Sequence, residues 1–523
     1  MRYPVSFSQR RLWFMDQLNP GEPTFNMPYL LWLDGPLDPG LLQRALDVLV
    51  ARHAVLRTSI TAVDGVPEQV VADTGSIPIE LLTLPATDAG SDAVGPDELV
   101  PDDLRPDETA PDKAGQAEEL ALARAVRPFQ LDRPPLLRVS LIQTGPRRRL
   151  LVLVMHHAIS DGASMQVLIH DLAAAYRAEA AGEPLDLPPL WMDYGDYAIW
   201  QRDRLQGEEL ERQLAYWREQ LRGAPSVLTL PTDRPRPVQQ SSRGAIAVAQ
   251  VPAEVTRRLT ELAAATNATR FMVFLAGYAV VLARYARQRD LVIGTPVSGR
   301  THVELDPIVG LFTNTACVRA RLTGDPSFRD LLGQLRDTTL DALAHQELPF
   351  ENLVTEFAPE RSLAHAPLIQ VQFGYQSLIP AELELPGIRS HGRAMFTRTA
   401  KLDLSLFADT TPDDVTTLVA EYSTDLFDAA WADRFLGCLV SVLSHAAAAP
   451  DTPVIDLPML APAEAAELTG QLPSTILTGQ LPPTILTGQL PSTILTGQLP
   501  PTATEEPLDL RAALAGSESR VSD

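Results

Sequence analysis

Apolar and polar positions alternate along this chain in a way that sorts it into strands and helices. Leu150-Leu151-Val152-Leu153-Val154 is unbroken apolar sequence and predicts a strand buried on both faces. Beyond it, Met165, Leu168, Ile169, Leu172 and Tyr176 recur at helical spacing. Residues 136–143 predict a second strand, with Gly145-Pro146 as the turn that makes the two a hairpin. Leu12, Trp13, Met15 and Leu18 mark a short amphipathic helix, and Leu41, Leu42, Ala45, Leu46 and Leu49 a longer one ending at Arg52. A further helix is predicted over residues 120–126. In the second half, strands are predicted at 245–251, over 291–300 where the strand ends in a turn, at 401–404 and at 421–427, and helices at 253–266, 270–285 and 431–448. The longest apolar run, 271–283, is closed by Arg270 and Arg284 and is too short to span a bilayer, so it reads as a core helix.

Two stretches break the pattern. Residues 86–118 carry Pro96, Pro101, Pro106 and Pro111 among many Asp and Glu with almost no aromatic residues, the composition of a disordered acidic insertion. Residues 461–523 hold a nine-residue repeat, Leu468-Thr469-Gly470-Gln471-Leu472-Pro473-Ser474-Thr475-Ile476 and its copies. Its recurring proline cannot sustain a helix, which predicts a linker and tail, largely disordered. The expected organisation is an N-terminal unit over 1–180, a connector and C-terminal unit over 181–460, and the tail.

Composition narrows the class. A length of 523 residues with 45% hydrophobic content supports a sizeable core. A net charge of −23 argues against nucleic acid as a partner. Cys317 and Cys438 stand far apart in apolar surroundings, which fits a reducing compartment without a disulfide framework. Met1-Arg2-Tyr3-Pro4 lacks the pattern of a signal peptide, so a cytoplasmic protein with no membrane partner is expected.

The candidate chemistry lies between the buried strand and the helix after it, in Met155-His156-His157-Ala158-Ile159-Ser160-Asp161-Gly162. An imidazole titrates near neutrality and can take a proton from an amine or alcohol and return it to a thiolate. It needs a fixed ring orientation, which a nearby buried carboxylate commonly supplies. Glycine after Asp161 permits close backbone approach or an unusual conformation. The bland alternative is a pair of satisfied core histidines. A metal site is set aside, because adjacent histidines on a strand point to opposite faces and no third ligand stands at a recognised spacing.

The order His-His-x-x-x-Asp-Gly resembles the active-site signature of nonribosomal peptide synthetase condensation domains, members of the chloramphenicol-acetyltransferase-like superfamily. Six companion stretches resemble that family's other motifs in order. They are Ser6-Phe7-Ser8-Gln9-Arg10-Arg11-Leu12-Trp13-Phe14, then Arg52-His53-Ala54-Val55-Leu56-Arg57-Thr58, then Trp191-Met192-Asp193-Tyr194-Gly195-Asp196-Tyr197. Gly294-Thr295-Pro296-Val297-Ser298-Gly299-Arg300 with Leu311-Phe312-Thr313-Asn314-Thr315 follows, then His345-Gln346-Glu347-Leu348-Pro349-Phe350, then His365-Ala366-Pro367-Leu368 and its flanks. His345 and His365 are expected at helix ends and turns. The wording around His156 is most similar to the subtype joining an L-configured donor to an L-configured acceptor.

The resemblance implies an α/β fold (α+β, two-layer) of two lobes arranged as a V around a central tunnel. His157 would be the catalytic base, with His156, Asp161 and Gly162 completing the site. Arg300 would pair with Asp161, and Arg57 would support the site's floor. The implied donor is an acyl or aminoacyl thioester on the phosphopantetheine arm of a carrier protein, and the acceptor an amine on a second carrier or a free small molecule. No tightly bound cofactor is implied. Neither a carrier's attachment serine nor an adenylation loop occurs, so a freestanding or excised enzyme is expected. Arg147-Arg148-Arg149 is a basic cluster that could attract an acidic carrier. Two departures stand out: Gly299 where the family often has Asn, and Ala163 where it often has Trp. Ester formation with an alcohol acceptor and a non-catalytic recruitment module are the alternatives carried forward. An epimerase and a coenzyme A-dependent acetyltransferase are less consistent, since their further signatures are missing.

Overall fold

The computed structural model describes residues 1–84, 110–358, 362–375 and 383–460. The chain begins with β1 (Arg2–Pro4) and α1 (Phe7–Leu18), whose start is set by a capping box between Ser6 and Gln9. Next come β2 (Asn26–Asp34), α2 (Pro39–Arg52), β3 (Thr58–Val63), β4 (Val66–Val71), β5 (Ile79–Thr83) and α3 (Ala110–Ala125). The predicted hairpin follows as β6 (Leu137–Gln143) and β7 (Arg148–His156), antiparallel with Leu141 opposite Leu151. Then come α4 (Gly162–Ala181), α5 (Tyr194–Arg204) and α6 (Gly207–Leu221). The second half contains β8 (Gly244–Val251), α7 (Ala253–Ala265), α8 (Arg270–Ala286), β9 (Asp290–Val297), β10 (Asn314–Arg321), α9 (Phe328–Ala344) and α10 (Phe350–Phe357). It closes with β11 (Val371–Tyr375), β12 (Arg389–Ala394), β13 (Leu404–Thr410), β14 (Thr416–Ser423) and α11 (Ala429–Ala448).

The mixed α/β architecture rests on two main sheets, ordered β12-β2-β7-β6-β5 and β10-β9-β11-β13-β14-β8, beside a small sheet β1-β4-β3. Each main sheet has its own apolar core. β7 runs through the centre of the first, which is why its apolar residues do not alternate: Leu150 to Met155 are all buried. In the second, α8 buries every residue from Met272 to Ala283, as its arginine-bounded apolar run predicts. Among the described residues no single helix is long and apolar enough to cross a membrane.

The expected division at residue 180 is crossed. β12 belongs to the second half by sequence but pairs antiparallel with β2 of the first, Ser390 opposite Leu33 and Gly392 opposite Leu31. Leu305, Ile308, Val309, Leu311 and Phe312, from the loop between β9 and β10, are also buried in the first core. The two halves are therefore joined by shared apolar burial and by main-chain hydrogen bonds.

The C-terminal end of the expected acidic insertion is helical. Residues 110–118 belong to α3, and the predicted helix at 120–126 is its second half. Ala117, Ala121 and Ala125, at four-residue spacing, form a fully buried seam that a reading of charge and proline overlooks. Residues 85–109 and the repeat-bearing tail lie outside the described residues. Arg148 and its neighbours sit at the end of β7 opposite the histidines, where the Arg148 guanidinium stacks 4.8 Å over Trp32.

Candidate active site

β7 delivers its last residue, His156, to a turn held by two neighbouring segments. His156 N–H donates to Leu136 O at 2.9 Å and His157 N–H to Phe25 O at 2.8 Å. A single 3-10 turn, His157–Ile159, then leads to Asp161, the N-cap of α4. The two imidazoles part at this turn. His156 is buried, its Nδ1 accepts from Ala158 N–H at 3.1 Å, and its ring meets the edges of Phe25 and Phe129. Burial, with the neighbouring charges of His157 and Lys401, pushes its pKa down to about 3. Its geometry is that of a neutral scaffold residue.

His157 is half-buried and lines a cavity of about 3260 Å³ walled by both halves of the chain. Its Nδ1 lies 2.7 Å from Ser160 O. A carbonyl only accepts, so Nδ1 carries a proton, and in the neutral ring Nε2 is the unprotonated acceptor. The ring is thus oriented by a backbone carbonyl and not, as the sequence suggested, by a carboxylate. Burial first, and then the charge of Lys401, hold the His157 pKa well below the ordinary imidazole value, against the opposing pull of Ser160 O and Asp161.

The Asp161 carboxylate serves the loop instead. One oxygen takes Ser164 N–H at 2.8 Å, Ser164 Oγ at 2.7 Å and Arg300 Nη2 at 3.2 Å. The other takes the N–H groups of Phe312 at 2.9 Å and Thr313 at 3.2 Å. Burial alone would raise its pKa, but Arg300 and these hydrogen bonds hold it below the ordinary carboxylate value. The ion pair is fully desolvated, with side chains 4% and 1% exposed. Arg300 also donates to Leu305 O, to Ile308 O at 2.9 Å and to Ser164 Oγ at 3.0 Å, and lies 4.1 Å over the Phe312 ring.

The turn that presents Arg300 explains Gly299. Its φ is +67°, and a Cβ there would stand 1.9 Å from Phe312 O. Tyr194, from the aromatic stretch at the start of α5, ties the same loop down: its hydroxyl donates to Leu311 O at 2.5 Å and lies 2.8 Å from Ser6 Oγ.

Gly162 opens α4 without a positive φ and lines the cavity. Ala163 lines the cavity beside it. Arg57 lies elsewhere. It closes the turn after α2, with long contacts to Ala51 O and Ala72 O, and borders a separate cavity of about 280 Å³. It supports the α2–β3 junction and does not reach the floor of the His157 cavity. His345 caps α9 and stacks on Tyr216, and His365 lies in an irregular segment.

Sequence reasoning missed Lys401 and Glu421, which line the same cavity. One signal was available for Lys401: of the chain's 43 lysines and arginines, only Lys113 and Lys401 are lysine.

The chain is similar to known proteins over most of its length. A family model described as Condensation domain matches residues 1–469. A linear gramicidin synthase of Brevibacillus parabrevis is 39% identical over 472 residues, 90% of this chain but 6% of that protein. Phosphinothricin tripeptide synthetase PhsC of Streptomyces viridochromogenes is 41% identical over 461 residues, 87% of this chain and 40% of that protein. The chain thus spans well under two thirds of these relatives' length. The X-domain from teicoplanin biosynthesis, solved in complex with OxyB, superposes with a TM-score of 0.75 at 28% identity, covering 88% of this chain and 96% of the X-domain. The four-domain nonribosomal peptide synthetase AB3403 shares the fold, with a TM-score of 0.77 at 24% identity over 89% of this chain and 34% of that one.

Proposed function

The chain belongs to the condensation-domain family, and on that premise we propose that it joins an acyl or aminoacyl group, delivered as a carrier-protein thioester, to an amine. The observation that carries this reading is the unprotonated Nε2 of His157 on the wall of a cavity large enough for two substrates. The amine nitrogen attacks the thioester carbon, forming the C–N bond. His157 takes the proton from that nitrogen, and collapse of the tetrahedral intermediate breaks the C–S bond. The proton then returns to the departing thiolate of the phosphopantetheine arm, which belongs to the carrier and is substrate here. Asp161 and Arg300 act on the loop that presents His157 and move no proton, because the Asp161 carboxylate is saturated by donors away from the ring. His156 supports the turn from beneath, and Gly162 leaves room for the approaching chain.

An α-amine has a pKa of about 8, so part of it is neutral at physiological pH, and positioning supplies much of the rate. The base itself is worth about 10²–10⁴-fold. An alcohol acceptor would depend on it more heavily than an amine does. The partners are a donor carrier, a second carrier or a free nucleophile, and the setting is the cytoplasm, where loaded carriers would be met.

A second reading is a recruitment module without chemistry, favoured by the likeness to an X-domain solved with OxyB. The ring geometry of His157 and the intact Asp161–Arg300 pair favour catalysis over it. Intact-protein mass spectrometry of loaded donor carriers with amine acceptors decides between them. Product formed by the wild type and lost in His157→Ala supports the enzyme, whereas binding of a loaded carrier with no turnover supports recruitment.

A further inference from the structure

We propose that Lys401 is a positioning residue that keeps His157 in its neutral, proton-accepting form, acting across the cavity and not on the substrate. The proposal rests on the reading of His157 as the base.

The segment carrying Lys401 is fixed on both sides. Gly244 N–H donates to Arg398 O at 3.0 Å and Ala400 N–H to Ser242 O at 2.9 Å. The Thr397 and Thr399 hydroxyls lie 2.8 Å apart in a buried position. Two residues on, Asp403 is clasped by both nitrogens of Arg236. The side chain so placed crosses from the second half of the chain to the first. Its Nζ stands 5.7 Å from the centre of the Phe25 ring. Phe25 is the residue whose carbonyl accepts the His157 N–H and whose ring meets the edge of His156. The ammonium is therefore lodged against the support of the catalytic turn, open to the cavity interior yet walled by protein.

The charges that face His157 come from every element around it. Arg11 on α1 is engaged by Glu351 at 3.5 Å, and Asp161 at the start of α4 is engaged by Arg300. His156 is held neutral by burial. Among the described residues Lys401 Nζ forms no ion pair within 4.0 Å, although the Glu421 carboxylate accepts from the Lys401 backbone N–H. Burial lowers the Lys401 pKa from its ordinary value, and the charge of Glu421 on the same wall opposes that shift and favours the ammonium. A second cation on the imidazole would repel that ammonium, and the neutral ring is preferred.

The test is a ring-carbon NMR titration of ¹³C-histidine in the full chain, assigned by the signal missing from His157→Ala, run for the wild type, Lys401→Met, Lys401→Gln and Lys401→Arg. The two neutral variants should raise the His157 titration by about one pH unit and Lys401→Arg should keep it low. The acid limb of kcat/KM against pH should rise by the same interval, about tenfold in rate below it. Either neutral variant suffices if the other fails to fold. A His157 titration that does not move overturns the proposal and leaves the base assignment intact. A titration that moves while the acid limb stays in place upholds the coupling and overturns the base assignment. Dimethylation of the two lysines with ¹³C reports Lys401 directly, and a neutral amine at pH 7 would also overturn the proposal.

Discussion

Replacing Asp161 with Asn changes one atom type and should cost more than any surface substitution. Asn caps a helix nearly as well as Asp, so the Ser164 N–H at 2.8 Å keeps a partner. The amide's NH₂, however, must face the N–H groups of Phe312 and Thr313 or the Arg300 guanidinium, all of them donors. Arg300, 4% exposed, is then a buried cation without its anion. Breaking a buried pair in this way costs about 3–5 kcal/mol. At about 2–4 °C per kcal/mol for a unit of this size, the melting temperature should fall by roughly 6–20 °C. Asp193→Asn is the internal control: Asp193 caps α5 with the same chemistry but without a buried arginine, and should shift Tm by about 2 °C or less. The pH dependence has a defined sign. Because the Asp161 pKa is held below its unfolded value, the pair's contribution is complete above about pH 4 and is lost as pH falls through the folded value. The deficit of Asp161→Asn should therefore shrink in acid. Adding Arg300→Met should recover part of the loss, since it removes the uncompensated charge. Scanning calorimetry of the four proteins is the assay. An Asp161→Asn melt within 2 °C of the control would refute the reasoning.

Two further substitutions probe the loop and the cavity. Gly299→Ala should destabilise by at least about 2 kcal/mol in urea titration, because a left-handed backbone and a contact with Phe312 O must both be relieved; an unchanged midpoint would mean that the turn is not constrained. Ala163→Trp should leave the chain folded but cut turnover of bulky substrates at least about tenfold more than that of small ones, on the scale of steric discrimination in a pocket; competition between a long and a short acyl donor reads this, and an unaltered ratio would remove Ala163 from the substrate path.

What was legible in the sequence is the part specified by local pattern. The unbroken apolar run of β7, the helical spacing of α4 and the arginine-bounded α8 each report burial through their own residues. The Asp161–Arg300 contact was legible only through motif resemblance, since 139 residues separate the two. β12 was invisible because Arg389-Ser390-His391-Gly392-Arg393-Ala394 has no apolar alternation, and its pairing with β2 is imposed by the fold. The orientation of His157 by Ser160 O was invisible for a different reason: backbone acceptors leave no mark in residue identity. Lys401 lies 244 positions after His157 and lines the same cavity only because a segment of the second half brings its ammonium to Phe25. Arg57 shows the converse failure, a residue near a motif's end that the fold turns toward another cavity.

The central claim is that one imidazole, bare at Nε2 within a cavity shared by both halves, mediates acyl transfer. Its most direct measurement is single-turnover transfer from a loaded donor carrier to an amine and to an alcohol, followed by intact-protein mass spectrometry for the wild type and His157→Ala. The account predicts product with the wild type, loss of about 10²–10⁴-fold in ester formation in the variant, and a smaller loss in amide formation. Equal rates for the two proteins on both acceptors would contradict it.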